Sequence, residues 1–272
     1  MNDLADGLSS ASTPGSDERP AFFVRDGAVY LPQEPARSPW NAAATNGVAV
    51  AGLLMLASEQ LPAPEPMIPA HVVIDILRPV PFGPTLPHTA VTRDGKKMQM
   101  VETHLMDGDT PVARARVLRV RETDSPHIEA PMTFPSPEDA PRRPFLEPPV
   151  RIAKLIETRL VAGETNETGP ATAWTRLRAD VVAGLPISPV VHAAMISDFG
   201  NGLCRPVDPR QWTFANVDIA LHMVRRPVGE WLLVDADAML QGCSVGLTNM
   251  ILADRAGPFG RAHQTVFIAP RG

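Results

Sequence analysis

A proline-rich stretch in the middle of the chain constrains its fold more than any other feature. Residues 123–150 (TDSPHIEAPMTFPSPEDAPRRPFLEPPV) hold eight of the 30 prolines in 272 residues and show no apolar periodicity, the signature of an extended linker. Proline removes a backbone donor and fixes φ, so neither a helix nor an inner strand runs through such a stretch. The chain is therefore read as two units of similar length, 21–122 and 151–272. Ahead of them, residues 1–20 are rich in Ser, Asp, Gly and Ala and lack both a basic start and an apolar run, and are read as a disordered tail without a secretory signal.

Two halves of similar length invite a test for internal repetition. In the first, residues 40–60 (WNAAATNGVAVAGLLMLASEQ) predict a helix that is apolar on nearly every face, with Asn41 as the candidate cap and Pro62 and Pro64 ending it. A strand follows, ending in Leu77-Arg78-Pro79-Val80. Strands over 85–92, 97–105 and 111–121 come next, turned by Asp94-Gly95 and Asp107-Gly108. The second half opens with strands over 156–161 and 173–181, then predicts a helix over 190–203 behind Ser188-Pro189. Strands over 213–224, 230–240, 244–253 and 261–268 follow, with Arg226-Pro227 falling where Arg78-Pro79 falls in the first half. The element order repeats.

A helix apolar all round must be enclosed, and one curved antiparallel sheet wrapped around it does so economically. The expected fold is α+β, a double hotdog: two helix-wrapped antiparallel sheets joined edge to edge in one chain. Composition removes other classes. The net charge of −5 gives no basic footprint for nucleic acid, and the longest apolar run, residues 47–57, is too short to span a bilayer. Cys204 and Cys243 form neither a disulfide framework nor a ligand pattern, which fits a reducing, cytoplasmic setting. The seven histidines lack metal-binding spacing, and no phosphate-binding glycine motif occurs, so neither a metal nor a cofactor is expected. Edge strands leave room for a homo-oligomer.

Asp198 lies among Ala, Met, Ile, Phe and Leu on the second predicted helix, where an unpaired carboxylate is costly to bury. It is either solvated on an open side of that helix, partnered, or functional. Asn216 on one strand and Gln264 on the last strand stand where they can converge with it. The stretches ISDFGNGL, FANVDIALHMVRRPVGEWLLVDADA and RAHQTVFIAPR resemble the second hotdog of TesB-like acyl-CoA thioesterases, and the resemblance spans most of residues 21–272. It implies an acyl-CoA substrate in lipid metabolism, hydrolysed by a water held by an Asp, a Thr or Ser, and a Gln. Carried over, these are Asp198, Asn216 and Gln264, with an amide where the family has a hydroxyl. The family's helix glycines, whose backbone N–H groups face the thioester carbonyl, match Asn46-Gly47 as substrate-binding residues; a packing glycine is the alternative reading.

Three patterns point elsewhere. Gly242-Cys243-Ser244-Val245-Gly246 fits the nucleophile elbow G-x-S-x-G, but residues 245–253 read as strand rather than helix, and too little chain remains for the partner Asp and His. Arg114, Arg116, Arg119 and Arg121 on one strand offer positive charge for coenzyme A phosphates or, as a plainer reading, a solvated strand face. His192 and His222 are read either as approaching the site or, more plainly, as satisfied polar residues of the core. A hotdog hydratase or dehydratase is the enzymatic alternative, though its paired Asp and His are not found. A catalytically weak acyl-thioester-binding protein is the non-enzymatic one, favoured by Asn216.

Overall fold

A computed structural model describes residues 19–129, 132–144, 151–164 and 167–271. Most of the expected tail lies outside these residues. Arg19 and Pro20 are anchored to the second half, Arg19 beside Asp180 at 3.4 Å and the Pro20 carbonyl accepting from the Asp180 amide at 2.8 Å.

The chain begins with a hairpin, β1 (Ala21–Asp26) and β2 (Val29–Pro32), turned at Gly27, whose φ of +60° suits glycine. Helix α1 (Gly47–Gln60) follows, then β3 (Met67–Ile76), β4 (His88–Asp94), β5 (Met98–Asp107) and β6 (Thr110–Arg121). The second half runs β7 (Ile156–Ala162), β8 (Ala171–Leu177) and β9 (Asp180–Val182), then helices α2 (Pro189–Ile196) and α3 (Gly200–Cys204). It ends with β10 (Trp212–Asn216), β11 (Asp218–Met223), β12 (Leu232–Leu240), β13 (Val245–Asp254) and β14 (Gly257–Pro270).

The two expected sheets join into one of eleven strands, in the order β4-β5-β6-β3-β11-β14-β13-β12-β8-β7, with β10 alongside β14. The order is mirrored about the β3–β11 seam, where Ile74 lies opposite Ile219 and Val72 opposite Leu221. Strand alternation sends Val72, Ile74, Ala115, Val117, Ile219, Leu221 and Ala262 to the concave side, all buried. That side encloses α1 and α2. Ten of the fourteen residues of α1 are buried, so burial rather than one amphipathic face holds it, and Leu53→Ala or Leu54→Ala should each cost about 2–5 kcal/mol. The two helices pack closely, since a Cβ on Gly52 would stand 3.0 Å from the sulfur of Met195.

Several boundaries differ from expectation. The cap of α1 is Asn46, not Asn41: the Asn46 side chain accepts from the Ala49 amide at 2.9 Å, whereas that of Asn41 closes a local turn onto the Ala43 amide. The strand expected over 173–181 divides, because β9 leaves the large sheet to pair in parallel with β1, Ala21 lying opposite Asp180. The strand expected over 213–224 breaks at Val217. Asn216 lies opposite Val266 while Ala220 lies opposite His263, a one-residue slip that marks a bulge. Residues 132–144 lie along the convex face of the second half. There Trp174 donates to the Pro135 carbonyl at 2.8 Å, and Ala140 packs with Trp174, Trp231 and Leu233. Among the described residues no helix is long and apolar enough to cross a membrane.

Candidate active site

The helix expected over 190–203 is interrupted. Ser188 caps α2, accepting from the Val191 amide at 3.1 Å, and the helix then tightens into a 3-10 turn over Ser197–Phe199 before resuming as α3. Asp198 sits in that turn. The break is pinned from below by Gln264 of β14, which is fully buried; its Nε2 donates to the Ser197 carbonyl and its Oε1 accepts from the Asn201 amide, each at 2.9 Å. A side-chain amide thus satisfies one backbone acceptor and one donor that the interrupted ladder leaves open.

Asp198 faces two neighbours. From β10, just before the bulge, the Asn216 side-chain amide donates to its Oδ1 at 3.0 Å, while Asn201 Nδ2 donates to the side-chain Oδ1 of Asn216 at 3.4 Å. From the other half of the molecule comes the first residue of α1. A Cβ on Gly47 would lie 2.5 Å from Asp198 Oδ1 and 2.7 Å from Oδ2, so only glycine leaves room for the carboxylate. Burial pushes the Asp198 carboxyl up to about 6, against the pull of the Asn216 amide. The carboxylate stands at the N-terminus of α1, where partial positive charge gathers and the first backbone N–H groups lack partners within the helix. The Asn46 cap takes the Ala49 N–H, which leaves those of Gly47 and Val48 as the first-turn donors.

Asp198, Asn216 and Gly47 are thus in contact, and Gln264 joins them through the backbone. Each end of the Gln264 amide bonds to that scaffold, so Gln264 holds the turn that carries Asp198. Asn46 also turns away, its Nδ2 donating to the Pro35 carbonyl at 2.8 Å, so only its neighbour Gly47 faces the carboxylate. Sequence reasoning misses Asn201, although its place three residues after Asp198 puts both on one helical face.

The other candidates lie elsewhere. Gly242–Ser244 form the hairpin between β12 and β13, Ser244 having φ +62°, so no helix follows the G-x-S-x-G serine. Arg114 pairs with Asp75 at 2.6 Å and Arg121 with Glu65 at 3.3 Å. The four arginines do not share one solvated face, since β-strand alternation points Arg119 inward. There it is buried, donating to the Leu61 carbonyl and to Gln99 Oε1, each at 2.9 Å. His222 stacks on His71 across the seam, ring centroids 4.1 Å apart, and His192 is buried in the first turns of α2, at the opposite end of that helix from Asp198. Among the described residues no group of three or more His, Cys, Asp or Glu side chains is placed to hold a metal ion.

Comparison with known proteins agrees with this architecture. None of the curated proteins matches the chain. Among solved structures it is similar to a conserved hot dog protein of unknown function from Alicyclobacillus acidocaldarius, with 18% identity and TM-score 0.71 over 92% of this chain and 96% of that one. It is similar to the acyl-CoA thioesterase II TesB2 of Mycobacterium marinum, with 19% identity and TM-score 0.69 over 92% and 96%. The tesB protein of Mycobacterium avium subspecies paratuberculosis gives 19% identity and TM-score 0.67 over 91% and 96%. At such identities these likenesses establish the double hotdog fold alone. The acyl-CoA thioesterase N-terminal domain family matches residues 36–120 and the acyl-CoA thioesterase C-terminal domain family residues 131–268. With both matched domains present in one chain and in that order, the protein belongs to the acyl-CoA thioesterase family.

Proposed function

We propose that this protein hydrolyses acyl-CoA to the free acid and coenzyme A, using a water activated by Asp198, without a covalent intermediate. The observation that carries this reading is the approach of Asp198 to Gly47: a half-buried carboxylate, its pKa raised to about 6, lies against a helix N-terminus. A base and an oxyanion site thereby adjoin each other at the seam between the halves.

In the proposed step Asp198 takes a proton from water while the water oxygen bonds to the thioester carbonyl carbon. Negative charge gathers on the carbonyl oxygen and is met by the N–H groups of Gly47 and Val48. The carbon–sulfur bond then breaks, and the proton held by Asp198 passes to the departing thiolate. Asn216 holds Oδ1 and leaves Oδ2 for the water, while Gln264 fixes the turn that carries Asp198. The amide at position 216 supplies a donor to Asp198 as a hydroxyl would, so the departure from the family pattern is compatible with turnover. On this reading the acyl chain lies between the helices and the sheet, and the enzyme serves lipid metabolism in the cytoplasm.

Release of free thiol from acyl-CoAs of graded chain length, with an aromatic one included, tests this reading against Asp198→Asn. Turnover in the wild type that falls at least about a hundredfold in the variant is the expected result. Equal rates would remove Asp198 from the mechanism. Acyl-CoA binding without wild-type turnover would replace the hydrolase with an acyl-thioester-binding protein.

A further inference from the structure

Two tryptophans remain that neither the core nor the mechanism uses. Trp40 is 80% exposed and Trp212 is 37% exposed, a large loss of burial for the side chains that gain most from it. From two segments of the chain they line one cleft of about 370 Å³, together with Pro39, Pro209, Phe214 and Arg271. Arg271 is held by its Nε, which donates to the Pro209 carbonyl at 3.0 Å, and no carboxylate pairs with it among the described residues. Asp208, the adjoining acid, is taken by Arg210 at 3.0 Å. The cleft thus combines flat aromatic surface with a guanidinium that no carboxylate of the described residues pairs with.

The two segments lead to the two neighbours of Asp198. On β10, alternation puts Trp212, Phe214 and Asn216 on one side of the strand, and Asn216 ends that row by donating to Asp198. The other segment, holding Pro39 and Trp40, runs into Asn46 and Gly47, whose Cα faces the same carboxylate. At about 3.3 Å per residue, Trp212 stands roughly 13 Å along the strand from Asn216. A pantetheine arm with its thioester at Asp198 covers a span of that order, which brings the nucleotide beyond its diphosphate to the cleft.

We propose that this cleft binds the purine nucleotide end of a CoA thioester, the adenine lying against Trp40 and Trp212 and a phosphate meeting Arg271. The inference rests on the acyl-CoA reading above and sharpens it: the enzyme recognises the nucleotide and so selects coenzyme A over a carrier protein, whose pantetheine arm bears no adenine. Aromatic stacking suits this because every base offers a π-face, and arginine adds a fork matched to phosphate.

The test measures KM and kcat for one acyl-CoA and for the N-acetylcysteamine thioester of the same acid, which lacks the nucleotide. Wild type is compared with Trp40→Ala, Trp212→Ala and Arg271→Ala, together with calorimetric titration of adenosine 3′,5′-bisphosphate. Trp40 is exposed enough that its replacement leaves folding intact, which guards against a fold defect at Trp212. The expected result is a KM for acyl-CoA raised about tenfold in each variant, with kcat held and the truncated thioester unaffected. Unchanged KM, or equal losses on both thioesters, would overturn the proposal. If the wild type hydrolyses neither thioester, the hydrolase reading falls and the titration alone decides the cleft: bisphosphate binding lost in Trp40→Ala supports it, and no binding overturns it.

Discussion

The two ends of the α1–α2 helix pair present one motif with opposite outcomes. At each end the start of one helix meets a carboxylate from the far end of the other. At the start of α1 that carboxylate is Asp198, hydrogen-bonded by the amide of Asn216. At the start of α2 it is Glu59, which accepts the Ser188 hydroxyl at 2.8 and 2.9 Å. Burial raises both carboxyls, and a hydrogen bond opposes it at each, but only at Glu59 do cations, Arg226 and Arg119, add to that pull. The last strands mirror this contrast. Gln264 of β14 grips a broken helix, whereas Arg119 of β6 reaches the last turn of an unbroken one, donating to the Ser58 and Leu61 carbonyls. One repeat has thus kept a charged clamp that finishes a helix, and the other a neutral amide that sustains a break. The second arrangement suits a base, because no guanidinium then adds to the pull that lowers its pKa.

Breaking the symmetry chemically should separate the two ends. Asp198→Asn is expected to lower kcat at least about a hundredfold in a thiol-release assay, while Glu59→Gln leaves kcat unchanged. Gly47→Ala comes next: its Cβ would collide with Asp198, so kcat/KM should drop roughly tenfold or more although alanine favours a helix, and circular dichroism should show the fold retained. Stability should respond in the reverse sense. Arg119→Met strands the carbonyls of Ser58 and Leu61 and the Gln99 side chain, and should cost roughly 2–4 kcal/mol in urea unfolding without touching kcat. The smallest effect is a linkage effect. A carboxyl at about 6 when folded and ~3.9 when unfolded binds more protons in the folded state between those values, so its contribution to stability is lost as pH rises through that window. Asp198→Asn should therefore raise the melting temperature above pH 6, with the gain gone below about pH 4.

The repeat itself is legible in the sequence. The proline-rich stretch, the Asp-Gly turns and the paired Arg-Pro positions mark it, and the apolar sequence of α1 demands an enclosing sheet. The β1–β2 hairpin carries its own signal, Asp26-Gly27 between AFFVR and AVYLP, which the search for a repeat passes over because the second half has no counterpart. The breaks that make the site are only partly marked. Met195, Phe199 and Leu203 keep apolar residues at helical spacing across the Ser197–Phe199 turn, so periodicity runs through it, and the bulge at Val217 shows only as a shift of phase, from Trp212 and Phe214 to Val217, Ile219 and Leu221, that one long strand passes over. Asn41 and Asn46 are equal candidates by residue type, and tertiary contact with Pro35 selects the second. Asp198, Asn216 and Gln264 stand out by residue type and resemblance, but that Gln264 spends its amide on backbone groups depends on a break that only the fold displays.

The central claim, that the half-buried carboxylate of Asp198 at the seam is the base, is tested most directly by the pH dependence of kcat/KM for thiol release in the wild type. The expected profile rises with ionisation of one group near pH 6 and is flat above it, with that limb absent from the residual rate of Asp198→Asn. A limb that persists in the variant, or a profile flat from pH 5 to 8, would contradict the account.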